Sequence, residues 1–401
     1  MERGLSLISF VLYGLFAAVA QDKAPVKVSP DVQYQYLGTF NEATMSDILT
    51  KEVPQILEDK VAYTAPRNAV KLYRVIYNSV VPEQENRPTV ASGILAIPAT
   101  GARTMPLISY QHGTLYGDMA PPSDHERSFE SRLMISQFAS QGYVVISADY
   151  FGFGASPEKD SYIVLNSQVQ ASYDMYRAAL VVLEKEGIAI NRFFPTGWSQ
   201  GGVITMAFLE RLETLGVPVT AVGTAAAQCD AFVMVNGFLS HPRPIDAGWV
   251  TTMFILTAFA FEEYYRIPGL ARGLFNDDQY ELARRVYLKD PTVQKKDFPL
   301  DLRKLIRPEY FDPQYFAHSA YGKLALEMHP YRWDIRTPVR MYYGDVDECL
   351  TIGLARLPME WQKAMGNNKV EAISVGADGT HRLAFGRAVP EWKSWFDAML
   401  K

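Results

Sequence analysis

Apolar positions along the chain fall into short runs separated by stretches of helical period. The segments "AVKLYRVIYNSV" (69–80) and "TVASGILAIPA" (89–99) alternate or run apolar with β-branched residues on either side of "PEQENRP". This predicts two strands joined by a turn as an antiparallel pair. They follow a polar, proline-containing lead. Six further short apolar runs come next, at 105–113, 143–150, 192–199, 218–227, 338–345 and 369–378. Amphipathic segments such as "RSFESRLMISQFASQG" and "SQVQASYDMYRAALVVLEKEG" separate most of them. Buried runs alternating with helices predict an α/β fold with a mostly parallel sheet covered on both faces.

The alternation fails over 233–335, where "WVTTMFILTAFAFEEYYRI" and "DDQYELARRVYLKD" have helical character and no strand run occurs. A helical cap inserted into the α/β core is expected there, richer in Phe, Tyr and Trp than the 12% of the whole chain. Most of those rings are expected to fill the cap's own core.

At 401 residues the chain suits one large domain with an insertion or two domains, and 48% hydrophobic with 21% charged residues is a globular composition. A net charge of −5 gives no basic footprint, so no nucleic-acid partner is expected. The start, "MERGLSLISFVLYGLFAAVA", sets Arg3 before an apolar run that ends in Ala18-Val19-Ala20. This has the form of a signal peptide over 1–20 and implies a secreted or periplasmic protein. The remaining division is a first core part at 21–232, the cap at 233–335 and a second core part at 336–401. Neither Cys229 nor Cys349 lies in a CxxC, and the six histidines are never spaced as paired ligands on one helix face, so no metal or other cofactor is expected.

Candidate chemistry centres on "FPTGWSQGGVITMAF". Gly197-Trp198-Ser199-Gln200-Gly201 matches G-x-S-x-G after a predicted strand and before a predicted helix. A sharp strand-to-helix turn strains the serine and brings other chain too close for side chains at 197 and 201. The turn lifts the Ser199 hydroxyl off the sheet edge and aims the Gln200 N–H at the same space. A serine needs a histidine base oriented by a carboxylate, in the chain order Ser, acid, His. Beyond residue 329 only His381 satisfies that order, in "GADGTHRLAF" after the last strand run. The acid is Asp347 in "YYGDVDECLTI" by the G-x-x-D count from Gly344, with Asp345 as the alternative. A second oxyanion donor is expected from Gly113 or Thr114 in "SYQHGTLYGD", with His112 shaping that loop.

Together "SYQHGT", "DYFGFGAS", "GWSQGG", "WDIRTPVRMYYGDVDE", the place of the cap and the Ser, Asp, His order resemble the α/β-hydrolase superfamily. Within it, they are most similar to the secretory lipase family of the lipase A type, over roughly residues 65–401. The third-strand loop departs from that family by carrying His-Gly, as many esterases do. The resemblance implies hydrolysis of carboxylic esters by a secreted lipase or esterase through an acyl-enzyme. The expected partner is a small-molecule or lipid ester, with transient lipid-interface contact through the cap. In this architecture the strands before Cys229 and Cys349 are neighbours, so the two thiols are expected to form a disulfide. Two other readings remain: a serine peptidase of the same fold, for which Glu262 and Glu263 would have to grip an amine, and a hydrolase-like binding domain without activity.

Overall fold

The structure, a computed structural model, describes residues 24–117 and 119–401. The signal peptide expected at 1–20 lies outside the described residues. Each of the eight predicted runs forms a strand: β3 (Val70–Val81), β4 (Arg87–Pro98), β5 (Thr104–Gln111), β6 (Val144–Ala148), β7 (Ala189–Trp198), β8 (Val222–Ala225), β9 (Val339–Tyr343) and β10 (Val370–Ser374). The polar lead contributes two more, β1 (Val26–Ser29) and β2 (Val32–Phe40). In β2, Val32 and Tyr34 turn inward while Gln33 and Gln35 take the alternate positions, so the strand is half buried and its average polarity hides the period of two.

One ten-stranded sheet results, in the order β1-β2-β3-β4-β6-β5-β7-β8-β9-β10. It is antiparallel from β1 to the β4–β6 pair and parallel from β6 to β10. Successive residues of β4 feed opposite cores. Leu95 and Ile97 pack with α4 (Leu165–Lys185) and α5 (Gln200–Thr214), and Ile94 and Ala96 with α3 (Phe129–Gln137) and α14 (His381–Met399). That alternation is why the parallel strands read as unbroken apolar runs. Two short helices, α1 (Glu42–Asp47) and α2 (Val53–Leu57), follow β2, and α13 (Ile352–Ala364) precedes β10.

Between β8 and β9 the chain leaves the sheet and forms α6 (Ala231–Ser240), α7 (Val250–Tyr264), α8 (Leu270–Leu274), α9 (Asp277–Tyr287), α10 (Leu302–Leu305), α11 (Pro313–His318) and α12 (Ala320–Leu326). Every residue of α7 from Val250 to Phe261 is buried, as befits a helix that is apolar all round. The aromatics of the insertion largely contact one another, as in Phe259 with Phe275, Tyr280 and Tyr287. Two tyrosines instead fasten the insertion to the loop after β6: Tyr264 Oη donates to the Lys159 carbonyl at 2.8 Å and Tyr287 Oη to that of Asp160 at 2.9 Å.

The expected disulfide is absent, because Cys229 and Cys349 are both free and buried. They sit in different apolar clusters, Cys229 with Met206, Leu209 and Tyr331, and Cys349 among the insertion's residues with its Sγ 3.7 Å from Met253 Sδ. Burial pushes both thiols well above their ordinary pKa. Neighbouring strand ends bring two loops into proximity but do not aim two Cβ atoms at one another.

Candidate active site

Three loops at the carboxyl edge of the parallel strands meet at Ser199. The serine is the hinge between β7 and α5 and has φ 55° and ψ −124°, a strained conformation that costs roughly 1–3 kcal/mol and persists only where its surroundings enforce it. The enforcement is visible. The Ser199 N–H donates to the Ala225 carbonyl of β8 at 2.9 Å. A Cβ on Gly201 would lie 1.9 Å from the Gln111 carbonyl oxygen at the end of β5. Any side chain at 201 would therefore push the elbow off the sheet.

His381 is the first residue of α14, and Asp347 lies in the turn after β9. His381 Nε2 is 2.8 Å from Ser199 Oγ, and its Nδ1 is 2.9 Å from Asp347 Oδ2 and 3.1 Å from Oδ1. Asp347 is fixed in turn, because its Oδ1 accepts the N–H groups of Cys349 at 2.7 Å and Leu350 at 2.8 Å. Ser199, His381 and Asp347 are all buried, at 7%, 4% and 1% exposure, so water screens their mutual interactions little. The structure thus joins Asp347 to His381 and leaves Asp345 outside, where it accepts the Ser374 hydroxyl at 2.7 Å.

Burial acts to lower the His381 pKa. The Asp347 charge and hydrogen bond, with Glu348 behind them, outweigh it and hold the pKa above the ordinary 6.5. Glu348 also accepts the His381 backbone N–H at 3.0 Å. The imidazole is flanked by Trp198 and Trp249, with ring centroids 5.6 and 5.7 Å away.

Gln200 is the first residue of α5, so its N–H precedes the intrahelical ladder and is available at the serine. Of the two expected second donors, Gly113 is corrected. Its N–H already donates to Glu130 Oε2 at 2.8 Å, which leaves Thr114, a residue that lines the Ser199 pocket. His112 does not reach Ser199. It stacks on Tyr150 at 4.1 Å and its Nδ1 lies 2.7 Å from the Gly113 carbonyl, and burial lowers its pKa to about 4.

The pocket over Ser199 has a volume of about 480 Å³ and is lined by Thr114, Tyr116, Trp198, Trp249, Glu348 and Arg382 among others. Sequence reasoning missed Trp249 and Arg243 and gave Glu348 no role. Arg243 pairs with Asp246 at 2.7 Å and also donates to the Asp347 carbonyl at 3.0 Å. Trp249 and Arg243 stand at the start of the insertion, about a hundred residues before the acid, with no motif to link them. Glu348 adjoins Asp347 and was legible only as a third carboxylate in the same turn.

Among the described residues no group of three or more His, Cys, Asp or Glu side chains is arranged to hold a metal ion. The arrangement provides a hydroxyl nucleophile, a base hydrogen-bonded to it, an acid that fixes the base, and N–H donors beside the hydroxyl.

The fold is the α/β-hydrolase fold. A Legionella pneumophila protein whose hydrolase assignment is itself provisional superposes with a TM-score of 0.79 at 20% identity, over 94% of this chain and 98% of that one. The rice cell wall degrading esterase LipA from Xanthomonas oryzae superposes with a TM-score of 0.77 at 19% identity, over 91% and 98%. Candida antarctica lipase A does so with a TM-score of 0.61 at 13% identity, over 88% and 77%. No protein-family model and no curated protein matches the sequence.

Proposed function

We propose that the chain is a serine hydrolase of carboxylic esters, a lipase or esterase acting through Ser199, His381 and Asp347. The observation that carries this reading is the continuous hydrogen-bonded line from Ser199 Oγ through both ring nitrogens of His381 to Asp347. The esterase and the lipase among the structural neighbours agree with it.

In the first half-reaction, Ser199 Oγ attacks the ester carbonyl carbon as His381 Nε2 takes its proton. The oxyanion is held by the Gln200 N–H and by Thr114, and Asp347 stabilises the imidazolium. His381 then gives the proton to the departing alkoxide, and the alcohol leaves an acyl-Ser199. In the second half, water attacks the acyl carbon, Nε2 takes a water proton, and that proton returns to Ser199 Oγ as the carboxylic acid departs. Ester and water become acid and alcohol, and the protein is restored.

The insertion at 233–335 serves in this reading as a cap whose Trp249 closes one side of the pocket and whose outer face meets a lipid interface. The Arg3-led apolar start directs export. The peptidase reading is not favoured. Glu262 accepts the Ala271 N–H at 2.8 Å within the insertion, and neither Glu262 nor Glu263 lines the Ser199 pocket.

The test is hydrolysis of nitrophenyl esters from acetate to palmitate, with a prolyl anilide beside them, by wild type and Ser199→Ala. A fluorophosphonate probe should label wild type at Ser199 and the variant should be inactive. Labelling at another residue, or an active Ser199→Ala, rejects the serine mechanism.

A further inference from the structure

Glu130 is a buried carboxylic acid, 5% exposed, in the first turn of α3. The hydrolytic mechanism above does not use it. Its Oε2 accepts two hydrogen bonds, one from the Tyr110 hydroxyl of β5 and one from the Gly113 N–H at 2.8 Å. Its Oε1 is buried without a partner, and it lies 3.2 Å from where a Cβ on Gly113 would stand. The Trp198 ring lies 3.1 Å from that same point.

The indole beside the nucleophile and the Glu130 carboxyl thus both crowd Gly113. The residues on either side of it are held by different elements. His112 is stacked on Tyr150, and Thr114 Oγ1 donates to Tyr162 Oη at 3.2 Å. At Gly113 the loop backbone itself is tied to an ionisable group, the Glu130 carboxyl.

We propose that Glu130 is a positioning residue of the oxyanion hole: by holding the Gly113 N–H it sets the peptide plane that leads into Thr114 and keeps the Thr114 donor aimed at the space beside Ser199 Oγ. This rests on the hydrolase reading above. A backbone donor in a loop is effective only when it is fixed before charge develops on the substrate oxygen. Releasing the Gly113 N–H frees the rotation that would turn the next N–H away.

Burial raises the Glu130 pKa to about 7, against the lowering effect of its hydrogen bonds with Tyr110 and Gly113. The unpartnered Oε1 is the seat for the added proton, so Oε2 remains an acceptor in both states. The hold on Gly113 thus needs an oxygen at this place and not a charge. Glutamine supplies that oxygen, and leucine supplies the volume without it.

The experiment compares Glu130→Leu and Glu130→Gln with wild type on one nitrophenyl ester, reading kcat, KM and the Ki of a trifluoromethyl ketone whose hemiketal oxyanion occupies the same hole. Loss of one oxyanion donor lowers kcat by about 10²–10³-fold. Glu130→Leu is expected to fall roughly 10²-fold in kcat, with little change in KM and a parallel rise in Ki. Glu130→Gln is expected to restore both to within about threefold, a spread worth less than 1 kcal/mol.

A folded Glu130→Leu with wild-type kcat and Ki overturns the proposal. So does a Glu130→Gln that loses as much as leucine, which would make the charge and not the acceptor decisive. If leucine prevents folding, Glu130→Asp replaces it under the same criteria, because its carboxyl is one methylene short of Gly113. Ser199→Ala measured alongside separates the two claims. An active Ser199→Ala removes the hydrolase reading, whereas an inactive one beside an unaffected Glu130→Leu removes only the role of Glu130.

Discussion

Gly344 and Gly379 touch backbone to backbone: a Cβ on Gly344 would lie 2.1 Å from the Gly379 carbonyl oxygen, and a Cβ on Gly379 would lie 2.8 Å from the Gly344 Cα. Gly344 opens the turn that carries Asp347, and Gly379 stands two residues before His381. The acid loop and the base loop are therefore set at their working distance by the absence of two side chains. Gly344→Ala must force these loops apart, since backbone atoms cannot rotate away as a side-chain tip does. We expect a destabilisation on the order of 3 kcal/mol and a loss of kcat larger than the loss of folded protein. Thermal melts together with active-site titration by a phosphonate measure the two separately.

Asp347→Asn should lower kcat by about 10⁴-fold, because the amide presents an N–H to Nδ1 and favours the wrong imidazole tautomer. Asp345→Asn should be mild, because Asp345 faces Ser374 and the amide oxygen still accepts that hydroxyl. Steady-state kinetics of the two variants decide which carboxylate acts on His381, and the reverse ranking would assign the acid to Asp345.

The pH dependence follows from the raised pKa of His381. Only the neutral imidazole accepts the serine proton, and a raised pKa means that the inactive imidazolium persists to higher pH. Activity is accordingly lost as pH falls through the raised value, and the acid limb of kcat/KM should have its midpoint above the ordinary 6.5 or so. Glu348→Gln removes one of the charges that raise it and should move the midpoint down. A profile flat from pH 5 to 8, or a midpoint unmoved in Glu348→Gln, contradicts this account.

Unreduced, denatured protein should titrate with two thiols per chain, and reductant should leave the Tm unchanged, since both cysteines are free. A real bridge would contribute roughly 2–5 kcal/mol, which a melt with and without reductant would reveal. Near-zero thiols would restore the disulfide.

Trp249→Ala should act on selectivity. The indole lines the pocket and its centroid lies 5.7 Å from that of His381. Aromatic contacts of this kind are worth about 0.5–1.5 kcal/mol, so the preference for an aryl ester over an acetate of an aliphatic alcohol should fall by up to roughly tenfold. A preference unaffected by the change would mean that the ring screens the imidazole from water and does not touch substrate.

What the sequence made legible was whatever depends on local pattern. Ser199 is readable because its strained backbone demands glycines at fixed offsets, and His381 because chain order leaves no competitor after residue 329. The parallel strands are readable because burial on both faces removes polar residues from them. Strand β2 was hidden by its half-burial. Glu130 was hidden for a different reason: an acidic residue in the first turn of a helix is an ordinary complement to the helix dipole, and only the fold shows that it points inward to Gly113. The cysteine pair misled because sequence yields proximity of strand ends and not the direction of side chains. Gly113 was legible only as one of two candidate oxyanion donors, and the fold alone shows that its N–H is taken by the Glu130 carboxyl.

The start of the insertion is stitched to the acid loop. Arg243 holds the Asp347 carbonyl at 3.0 Å, and the Ala247 N–H donates to the Glu348 carbonyl at 3.0 Å. For anyone recombining this scaffold, residues 243–249 and 345–350 therefore form a single inheritance unit. A chimaera whose crossover falls between β8 and Arg243 would import a foreign partner for the native acid loop, and its failure would say nothing about the substrate preference of the transplanted helices. A crossover placed after Trp249 leaves the stitching intact and makes the remaining helices exchangeable.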